Sequence, residues 1–238
     1  MLHVLAVIAG CCIGSFLNVV FSRSDWYNGR SRCDACGYTL KWYDLIPIVS
    51  YLMLRGRCRK CKTKIAPSHF ISELMMGAAF LCGSLCFCRF DMCNAAVFVC
   101  GLIFIAVAAI EDYKEQMVYS WILNSGICVT ATVKYIALFM SEQTCRAWLM
   151  IVLVIAFKLI AYLISKESKA KIGAGDFDIF IIIFVMFGGW GLLLTVTYSS
   201  IAGCLIYLPP IITKKRDMKE PLPFIPLLLI GTICNLII

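Results

Sequence analysis

The chain has 238 residues, of which 61% are hydrophobic and 15% are charged, and its formal net charge is +8 at pH 7. Soluble domains average about 45–50% apolar and about 25% charged residues, so this composition excludes an ordinary soluble globular protein. Apolar stretches near the length that an α-helix needs to cross a bilayer recur along the chain. The composition therefore predicts an all-α polytopic membrane protein.

The hydropathy pattern predicts about eight transmembrane helices. They cover approximately residues 2–21, 69–88, 95–111, 119–139, 146–165, 177–189, 191–212 and 224–238. No basic residue precedes the first apolar segment, Met1 to Phe21, so it lacks the start of a cleaved signal peptide and we expect it to be retained. The sixth span is short and ends in Gly188-Gly189, which predicts a bent or partial helix, and Pro209-Pro210 should end the seventh.

The distribution of Lys and Arg predicts the orientation of these helices. Most of the basic residues lie in the segments 22–68, 112–118, 166–176 and 213–223. Cytoplasmic segments of membrane proteins carry an excess of Lys and Arg, so we expect these four segments in the cytoplasm and both termini on the other side. The chain then divides into a first transmembrane helix (1–21), a cytoplasmic module (22–68) and a transmembrane core (69–238).

Two CxxC pairs lie in the cytoplasmic module, Cys33 with Cys36 and Cys58 with Cys61. Four thiolates can form a tetrahedral Zn²⁺ site, although the two pairs stand slightly farther apart than in the usual zinc ribbon. Because the cytosol keeps thiols reduced, zinc is favoured over two disulfides. Four protein ligands leave no open position on the metal, so we expect a structural zinc-ribbon-like loop.

Two aspartates stand at predicted membrane boundaries. Asp112 ends the apolar run 101–110, and Asp176 precedes the run 177–187. A carboxylate at this depth is costly unless it faces a water-filled cleft or a partner. Two carboxylates close together share one proton, which supplies the acid and the base of aspartyl-protease chemistry. The alternative is that both only cap helices, but a carboxylate at the helix end after residue 110 opposes the helix dipole.

Glycines flank the second aspartate in the sequence Gly173-Ala174-Gly175-Asp176. They predict a close approach of two backbones and a positive φ at the start of the helix. A second pair, Gly10 and Gly14, forms a GxxxG motif in the first span, for which helix packing is the ordinary explanation.

An ordered set of motifs resembles one known family. The set is Gly14-Ser15-Phe16-Leu17-Asn18-Val19-Val20, the first Cys pair, Trp42 to Leu52, Leu54 to Cys61, Glu73, Asp112 and the GxGD sequence 173–176. In this order, and over most of the chain, they resemble the type IV prepilin peptidases, which are GxGD membrane aspartyl proteases. Single motifs such as GxGD are weak signals, but the ordered set is specific.

The resemblance implies an activity and assigns roles to residues. It implies cleavage of short basic leaders from prepilins and pseudopilins, after a Gly at the cytoplasmic face of the bacterial inner membrane. Methylation of the new amino terminus with S-adenosylmethionine is implied as a second activity. Asp112 and Asp176 match the catalytic aspartates and Gly173 and Gly175 the supporting glycines. Cys33, Cys36, Cys58 and Cys61 match the cysteines of the domain associated with methylation.

The chain departs from the family pattern at a few positions. Tyr119 stands where many members have Pro, Asp178 stands where Lys is frequent, and the first Cys pair lacks the usual intervening Pro. None of these changes removes a catalytic group. No residue is assigned to S-adenosylmethionine by spacing.

A basic leader needs an acidic landing site on so basic a cytoplasmic face. Glu111, Glu115 and Asp178 lie near the two aspartates in sequence and are the candidates. The alternative is that these carboxylates pair with lysines at the surface, where such pairs contribute only about 0–1 kcal/mol. The expected partners of the chain are prepilin-like substrates in the bilayer and lipid, with no nucleic acid.

Three other functions are compatible with parts of the pattern. A membrane redox or metal protein would use the CxxC pairs but leaves the aspartates unexplained. A proton-coupled transporter would use Asp112 and Asp176 as relay carboxylates but leaves the cysteines unexplained, and no inverted repeat is visible. A GxGD protease acting on archaeal preflagellin-like substrates is nearer, and the CxxC loop favours the bacterial pilin branch over it.

Overall fold

A computed structural model describes residues 1–22, 30–33, 35–167, 174–213 and 222–238. The regular structure in these ranges is helical, and strand-like pairing is limited to two isolated bridges, Arg32 with Thr39 and Arg57 with Lys64. The all-α class predicted from the composition is confirmed.

The helices found in these ranges follow the predicted spans closely. They are α1 (Leu2–Ser22), α2 (Val49–Met53), α3 (Pro67–Arg89), α4 (Met92–Glu115), α5 (Ser120–Met140), α6 (Thr144–Glu167), α7 (Ala174–Ile212) and α8 (Ile225–Ile237). A short 3-10 helix, Trp42–Asp44, precedes α2. Within the described ranges, six helices (α1 and α3 to α7) are long and apolar enough to cross a membrane, and the apolar α8 has 13 residues.

The predicted sixth and seventh spans form one long helix, α7, interrupted at Gly188. This residue has φ 76° and ψ −174°, a conformation that only glycine adopts readily. A Cβ atom at Gly188 would meet nothing within 4 Å, so the backbone conformation and not the available space requires glycine there. Pro209 and Pro210 lie inside α7, which continues to Ile212 before it ends. The bend predicted from the glycines is therefore present between two helical parts of α7.

The surface of α6 has the character expected in lipid. Leu149, Val152, Ile155 and Leu159 recur every three or four residues, and their side chains are 57%, 60%, 62% and 56% exposed. Exposing such an apolar stripe to water is unfavourable in free energy. Exposing it to lipid acyl chains is not, because the acyl chains are as apolar as the side chains. Together with the six long apolar helices, it identifies a multi-pass membrane protein.

The chain forms two compact units that divide within α3, and we call them the N-terminal unit (Met1–Leu81) and the C-terminal unit (Cys82–Ile238). In the N-terminal unit, the GxxxG motif packs α1 closely against α3. A Cβ at Gly10 would lie 2.7 Å from the Met76 carbonyl oxygen, and one at Gly14 would lie 2.8 Å from the Ser72 carbonyl oxygen. The packing role predicted for this motif is thus the one it has.

The C-terminal unit is built around α4 and the first part of α7. Helix α4 contacts α5, α7 and α8, and α6 contacts α5 and α7. Leu102, Ile105 and Ile182 are fully buried between these helices. At Gly126 of α5, a Cβ would lie 3.0 Å from the Phe104 ring and 3.1 Å from Ile182, so α5 is held tightly against both neighbours. This packing fixes the end of α4 and the start of α7, where the two aspartates lie.

Candidate functional site

Asp112 lies in the last turn of α4 and is partly buried. Its Oδ2 atom accepts a hydrogen bond of 2.9 Å from the backbone N–H of Ile225, the first residue of α8. The carboxylate therefore caps a helix that is distant in sequence, and the positive end of that helix's dipole stabilises its charge. The unfavourable dipole of its own helix, noted in the sequence, is offset by this tertiary cap.

Asp176 lies in the first turn of α7 and is also partly buried. Although the two aspartates are far apart in the chain, Asp112 is near enough to Asp176 for their carboxyl groups to interact electrostatically. The C-terminal unit thus brings together the two residues that the sequence selected. Two neighbouring carboxyl groups can in general hold one proton between them.

Gly175 has an ordinary backbone conformation, and the positive φ expected there is wrong. Its importance is spatial. A Cβ atom at Gly175 would lie 3.2 Å from Cδ1 of Leu123, which is only 1% exposed in α5. Glycine at this position lets the start of α7 approach α5 closely, in agreement with the close approach that the glycines predict. Gly173 lies outside the described residues.

The three carboxylates considered for leader binding lie in different surroundings. Glu111 is only 3% exposed, and its Oε2 atom lies 3.4 Å from the backbone N–H of Tyr119. Asp178 is 8% exposed and forms an ion pair with Lys158 at 2.6 Å. Glu115, at the end of α4, is exposed to solvent. Of the three, Glu115 alone is accessible to an approaching cation.

Lys158 was not identified as a site residue from the sequence. It lies inside the apolar helix α6, and its Nζ atom bonds to Asp178 at 2.6 Å and to Asn124 of α5 at 2.7 Å. A lysine inside a predicted span is itself a signal, because a cation there requires a partner. The sequence alone did not indicate which residue that partner is.

The four cysteines of the two CxxC pairs come together in the N-terminal unit. Their Sγ atoms all lie within 4.8 Å of one another, and those of Cys33 and Cys61 are 3.9 Å apart. In a tetrahedral site with Zn–S bonds of about 2.3 Å, the sulfur atoms are about 3.8 Å apart. All four are free thiols. The cluster therefore has the donor set and the spacing of a tetrahedral metal site, as the sequence predicted.

Each cysteine pair lies in the same type of backbone turn. Cys33 N–H donates to the Tyr38 carbonyl and Gly37 N–H donates to the Cys33 carbonyl, both at 2.9 Å. In the second turn, Cys58 N–H donates to the Thr63 carbonyl at 2.9 Å and Lys62 N–H to the Cys58 carbonyl at 3.0 Å. Gly37 and Lys62 occupy equivalent positions with φ of 66° and 60°. The two turns present their thiols in the same way, as in a pair of zinc knuckles.

Hydrogen bonding with Thr63 favours the thiolate form of Cys61. The hydroxyl group of Thr63 lies 3.2 Å from Cys61 Sγ, and this contact together with the Thr63 backbone lowers the pKa of Cys61 to about 6. The thiolate is the form that binds a metal. A second contact steadies the same turn, because Arg59 lies between the paired cysteines and forms an ion pair of 2.8 Å with Asp44.

A cavity of about 470 Å³ lies within the N-terminal unit, beside the cysteine cluster. Its volume is in the range of pockets that hold small-molecule ligands. The polar and aromatic side chains in its wall include Ser15, Asp44, Tyr51, Arg59, Phe70 and Glu73. The sequence included several of these residues in motifs but gave no reason to place them around a common space.

The chain matches one known domain family and several individual proteins. Residues 8–87 match the family described as the bacterial peptidase A24 N-terminal domain. A "Prepilin leader peptidase/N-methyltransferase" from Myxococcus xanthus is 33% identical over 73% of this chain and 52% of its own length. The chain thus spans about half the length of that relative. No solved structure is significantly similar to this one.

Two further relatives match over nearly the whole chain. A "Type 4 prepilin-like proteins leader peptide-processing enzyme" from Escherichia coli is 28% identical over 98% of this chain and 93% of its own length. A "Prepilin leader peptidase/N-methyltransferase" from Bacillus subtilis is 27% identical over 94% of this chain and 85% of its own length. The resemblance noted in the motifs is confirmed: residues 8–87 match the N-terminal domain of bacterial A24 peptidases, and most of the chain is similar to proteins named as prepilin leader peptidases.

Proposed function

We propose that this protein is a membrane-embedded aspartyl endopeptidase that removes the short basic leader from type IV prepilin-like precursors. The names of its relatives support prepilin processing. The mechanism is supported by the position of Asp112 and Asp176, two partly buried carboxyl groups that come from separate helices and lie near enough to interact electrostatically. Aspartyl proteases need such a pair and no metal at the reacting centre.

In this mechanism the two aspartates share one proton around a water molecule. The ionised carboxylate takes a proton from the water as its oxygen attacks the scissile carbonyl carbon, and the neutral carboxyl group gives its proton to the carbonyl oxygen. Proton transfer to the leaving nitrogen then accompanies cleavage of the C–N bond. The pair titrates as a unit, so acid and base are roles of the dyad.

In this proposal, the hydrogen bond between Asp112 and the start of α8 also orients the Asp112 carboxyl group. The backbone N–H of Ile225, 2.9 Å from Oδ2, and the backbone of Phe224 hold the carboxyl group of Asp112 in place for its exchange of protons with water. A carboxylate held by a helix N-terminus also keeps its orientation as charge moves during the reaction. The same bond links α8 to the chemistry at the end of α4.

The cysteine cluster, in our proposal, holds one structural Zn²⁺. Cys33, Cys36, Cys58 and Cys61 would supply all four ligands, and the 3.9 Å between two of their sulfur atoms fits that geometry. Bound zinc would supply folding free energy to the module 22–68. We further propose N-methylation of the new amino terminus with S-adenosylmethionine as a second activity, as in relatives named N-methyltransferase.

The proposed setting is the bacterial inner membrane. The module 22–68 and both aspartates face the cytoplasm, both termini lie outside it, and 69–238 forms the peptidase core after the first helix, 1–21. Basic residues in 22–68 and 213–223 support this orientation. The leader would meet this face, and the exposed Glu115 is the carboxylate that we propose receives it, since Glu111 is buried and Asp178 is paired.

One experiment tests both proposed activities together. The full-length protein, purified in detergent with zinc, is incubated with a prepilin and S-adenosylmethionine, and the product's amino terminus is identified by mass spectrometry. We expect cleavage after the leader's Gly and a mass increase of one methyl group. An uncleaved substrate in the presence of folded protein would overturn the peptidase proposal.

A further inference from the structure

Lys158 is a cation within α6, one of the helices long and apolar enough to cross a membrane. Its Nζ atom donates to Oδ1 of Asp178 at 2.6 Å and to Oδ1 of Asn124 at 2.7 Å. The two acceptors belong to α7 and α5, so a single ammonium group joins three helices. An ionisable side chain inside a membrane span is costly and usually serves a function. The partners of Lys158 indicate where that function lies.

The free energy of folding alone does not account for this ion pair. Asp178 is buried, and taking its charge out of water costs free energy that the attraction to Lys158 only partly returns. An apolar pair of similar volume is often at least as stable at such a place. Apolar contacts already join α6 to α7, because the rings of Phe157 and Phe184 stack with centroids 6.1 Å apart. What the ion pair adds to these contacts is a directional bond.

This bond holds α7 from the side opposite the two aspartates. Asp178 lies two residues after Asp176 near the start of α7. Because an α-helix has about 3.6 residues per turn, the two side chains leave the axis about 200° apart. Asp176 is near Asp112 of α4, whereas Asp178 bonds toward α6. The start of α7 therefore lies between the aspartate of α4 on one side and the ammonium group of Lys158 on the other.

The contact of α7 with α5 at this level leaves one degree of freedom open. A Cβ at Gly175 would lie 3.2 Å from Cδ1 of Leu123, the residue before Asn124, so this contact sets how closely α7 approaches α5. A non-directional apolar contact does not set the rotation of α7 about its own axis. Hydrogen bonds weaken steeply away from their preferred angles, so the bond from Lys158 to Asp178 restricts that rotation. The bond to Asn124 in turn ties Lys158 to α5.

We propose that Lys158 is a positioning residue of the peptidase, which binds Asp178 and Asn124 and thereby fixes the rotation of α7 that brings Asp176 to Asp112. This role deepens the proposed function and rests on it, because it requires that the two aspartates perform the cleavage. Lys158 acts through Asp176 and does not touch the reacting atoms. A misplacement of about 1 Å lowers an enzymatic rate about 100-fold, so a small rotation of α7 should lower kcat.

Separate measurements of stability and turnover test this role on the full-length, zinc-loaded protein in detergent. The variants are Lys158→Met, Asp178→Asn and the double variant with both changes. Thermal unfolding is recorded, and kcat and KM for prepilin cleavage are measured per folded enzyme. We expect kcat to fall about tenfold to 100-fold in all three variants, with KM near the wild-type value. The double variant should be more stable than Asp178→Asn but should not recover kcat, whereas a merely structural role would restore both together.

A second lysine of the same kind provides the matched control. Lys134 also lies inside an apolar helix, α5, and its Nζ atom is 3.1 Å from Oδ1 of an asparagine, Asn94. Asn94 is in the first turn of α4 and Asp112 is in the last, so this contact is remote from the two aspartates. Lys134→Met should therefore keep the wild-type kcat per folded enzyme, even if the variant is less stable.

Two variants keep the test decisive if Lys158→Met fails to fold. The double variant leaves no charge without a partner, and Asn124→Ala removes one bond at an exposed residue. Asn124→Ala should lower kcat less than the other changes, again without changing KM. A folded double variant with the wild-type kcat overturns the inference, and so does an equal loss of kcat in Lys134→Met. A wild-type protein that does not cleave prepilin overturns the proposed function and this role with it.

Discussion

The Nζ atom of Lys158 lies 2.6 Å from Oδ1 of Asp178, two residues beyond Asp176. The same Nζ donates to Oδ1 of Asn124 at 2.7 Å, so one ammonium group joins α5, α6 and α7 near the start of α7. The Asp178 side chain is 12% exposed and that of Lys158 is 36% exposed. This ion pair is partly shielded from solvent and is more than a surface contact.

Breaking this pair from one side should destabilise the protein more than removing both charges. Asp178→Asn leaves the Lys158 cation without its counter-charge, and we expect a loss of about 1–3 kcal/mol, less than for a fully buried pair because the Lys158 side chain is 36% exposed. The double variant Asp178→Asn with Lys158→Met should recover part of that loss. Thermal unfolding in detergent measures both. The single variant Lys158→Met completes the comparison. If the double variant lost as much stability as the two single variants lose together, the charges would not interact.

The leader-binding proposal is tested at Glu115, because it is the exposed one of the three candidate carboxylates. Glu115→Lys should raise KM for a prepilin with a basic leader and have far less effect on a leader whose lysines are neutralised. The wild-type preference for the basic leader should fade as salt is added, since screening acts over about 10 Å at 0.1 M. Equal changes in KM for both leaders would contradict an acidic landing site. Asp178→Lys is a poor test, because it would place two ammonium groups together.

Metal analysis tests the cysteine cluster. We expect one zinc per chain, and we expect Cys33→Ser to lose the metal and to destabilise the module, because structural zinc supplies about 10–16 kcal/mol of apparent binding free energy in small zinc domains. Cys145→Ser, at an exposed cysteine of α6 outside the cluster, is the control and should retain zinc. Methylation should suffer more than cleavage in the Cys33→Ser protein. Iron or two disulfides in place of zinc would favour the redox interpretation.

The close approach of α7 to α5 gives a prediction for Gly175. Gly175→Ala places a methyl group 3.2 Å from Cδ1 of Leu123 in a well-packed region, which we expect to shift Asp176 and lower kcat/KM about tenfold. Adding Leu123→Val removes the opposing atom and should restore part of the activity. Gly189→Ala is the control, because a Cβ there meets only a ring atom of Phe184 at 4.0 Å. Equal activity of the Gly175→Ala and wild-type enzymes would show that this contact does not position Asp176.

The sequence predicted those features that depend on local pattern. Helix positions follow from apolar length, the GxxxG packing from two glycines at helical spacing, and the cysteine cluster from paired thiols. It did not predict the cap of α8 by Asp112, because the donor is a backbone N–H of Ile225, and every residue except proline has such a group. The Glu73 contact with Ile48 and the Lys158 pair with Asp178 depend on how distant segments pack. The positive φ expected at Gly175 was wrong because glycine also serves where space is short.

Replacement of the aspartates by asparagine tests the central claim most directly. Asn is nearly isosteric with Asp, and the carbonyl oxygen of Asp112→Asn can still accept the Ile225 N–H, so the cap of α8 is retained while the shared proton is lost. Asp112→Asn and Asp176→Asn are each incubated with prepilin in detergent, and the mature amino terminus is quantified by mass spectrometry. Both proteins should fold with normal zinc content and show no cleavage, whereas near-normal turnover by either one would contradict the dyad.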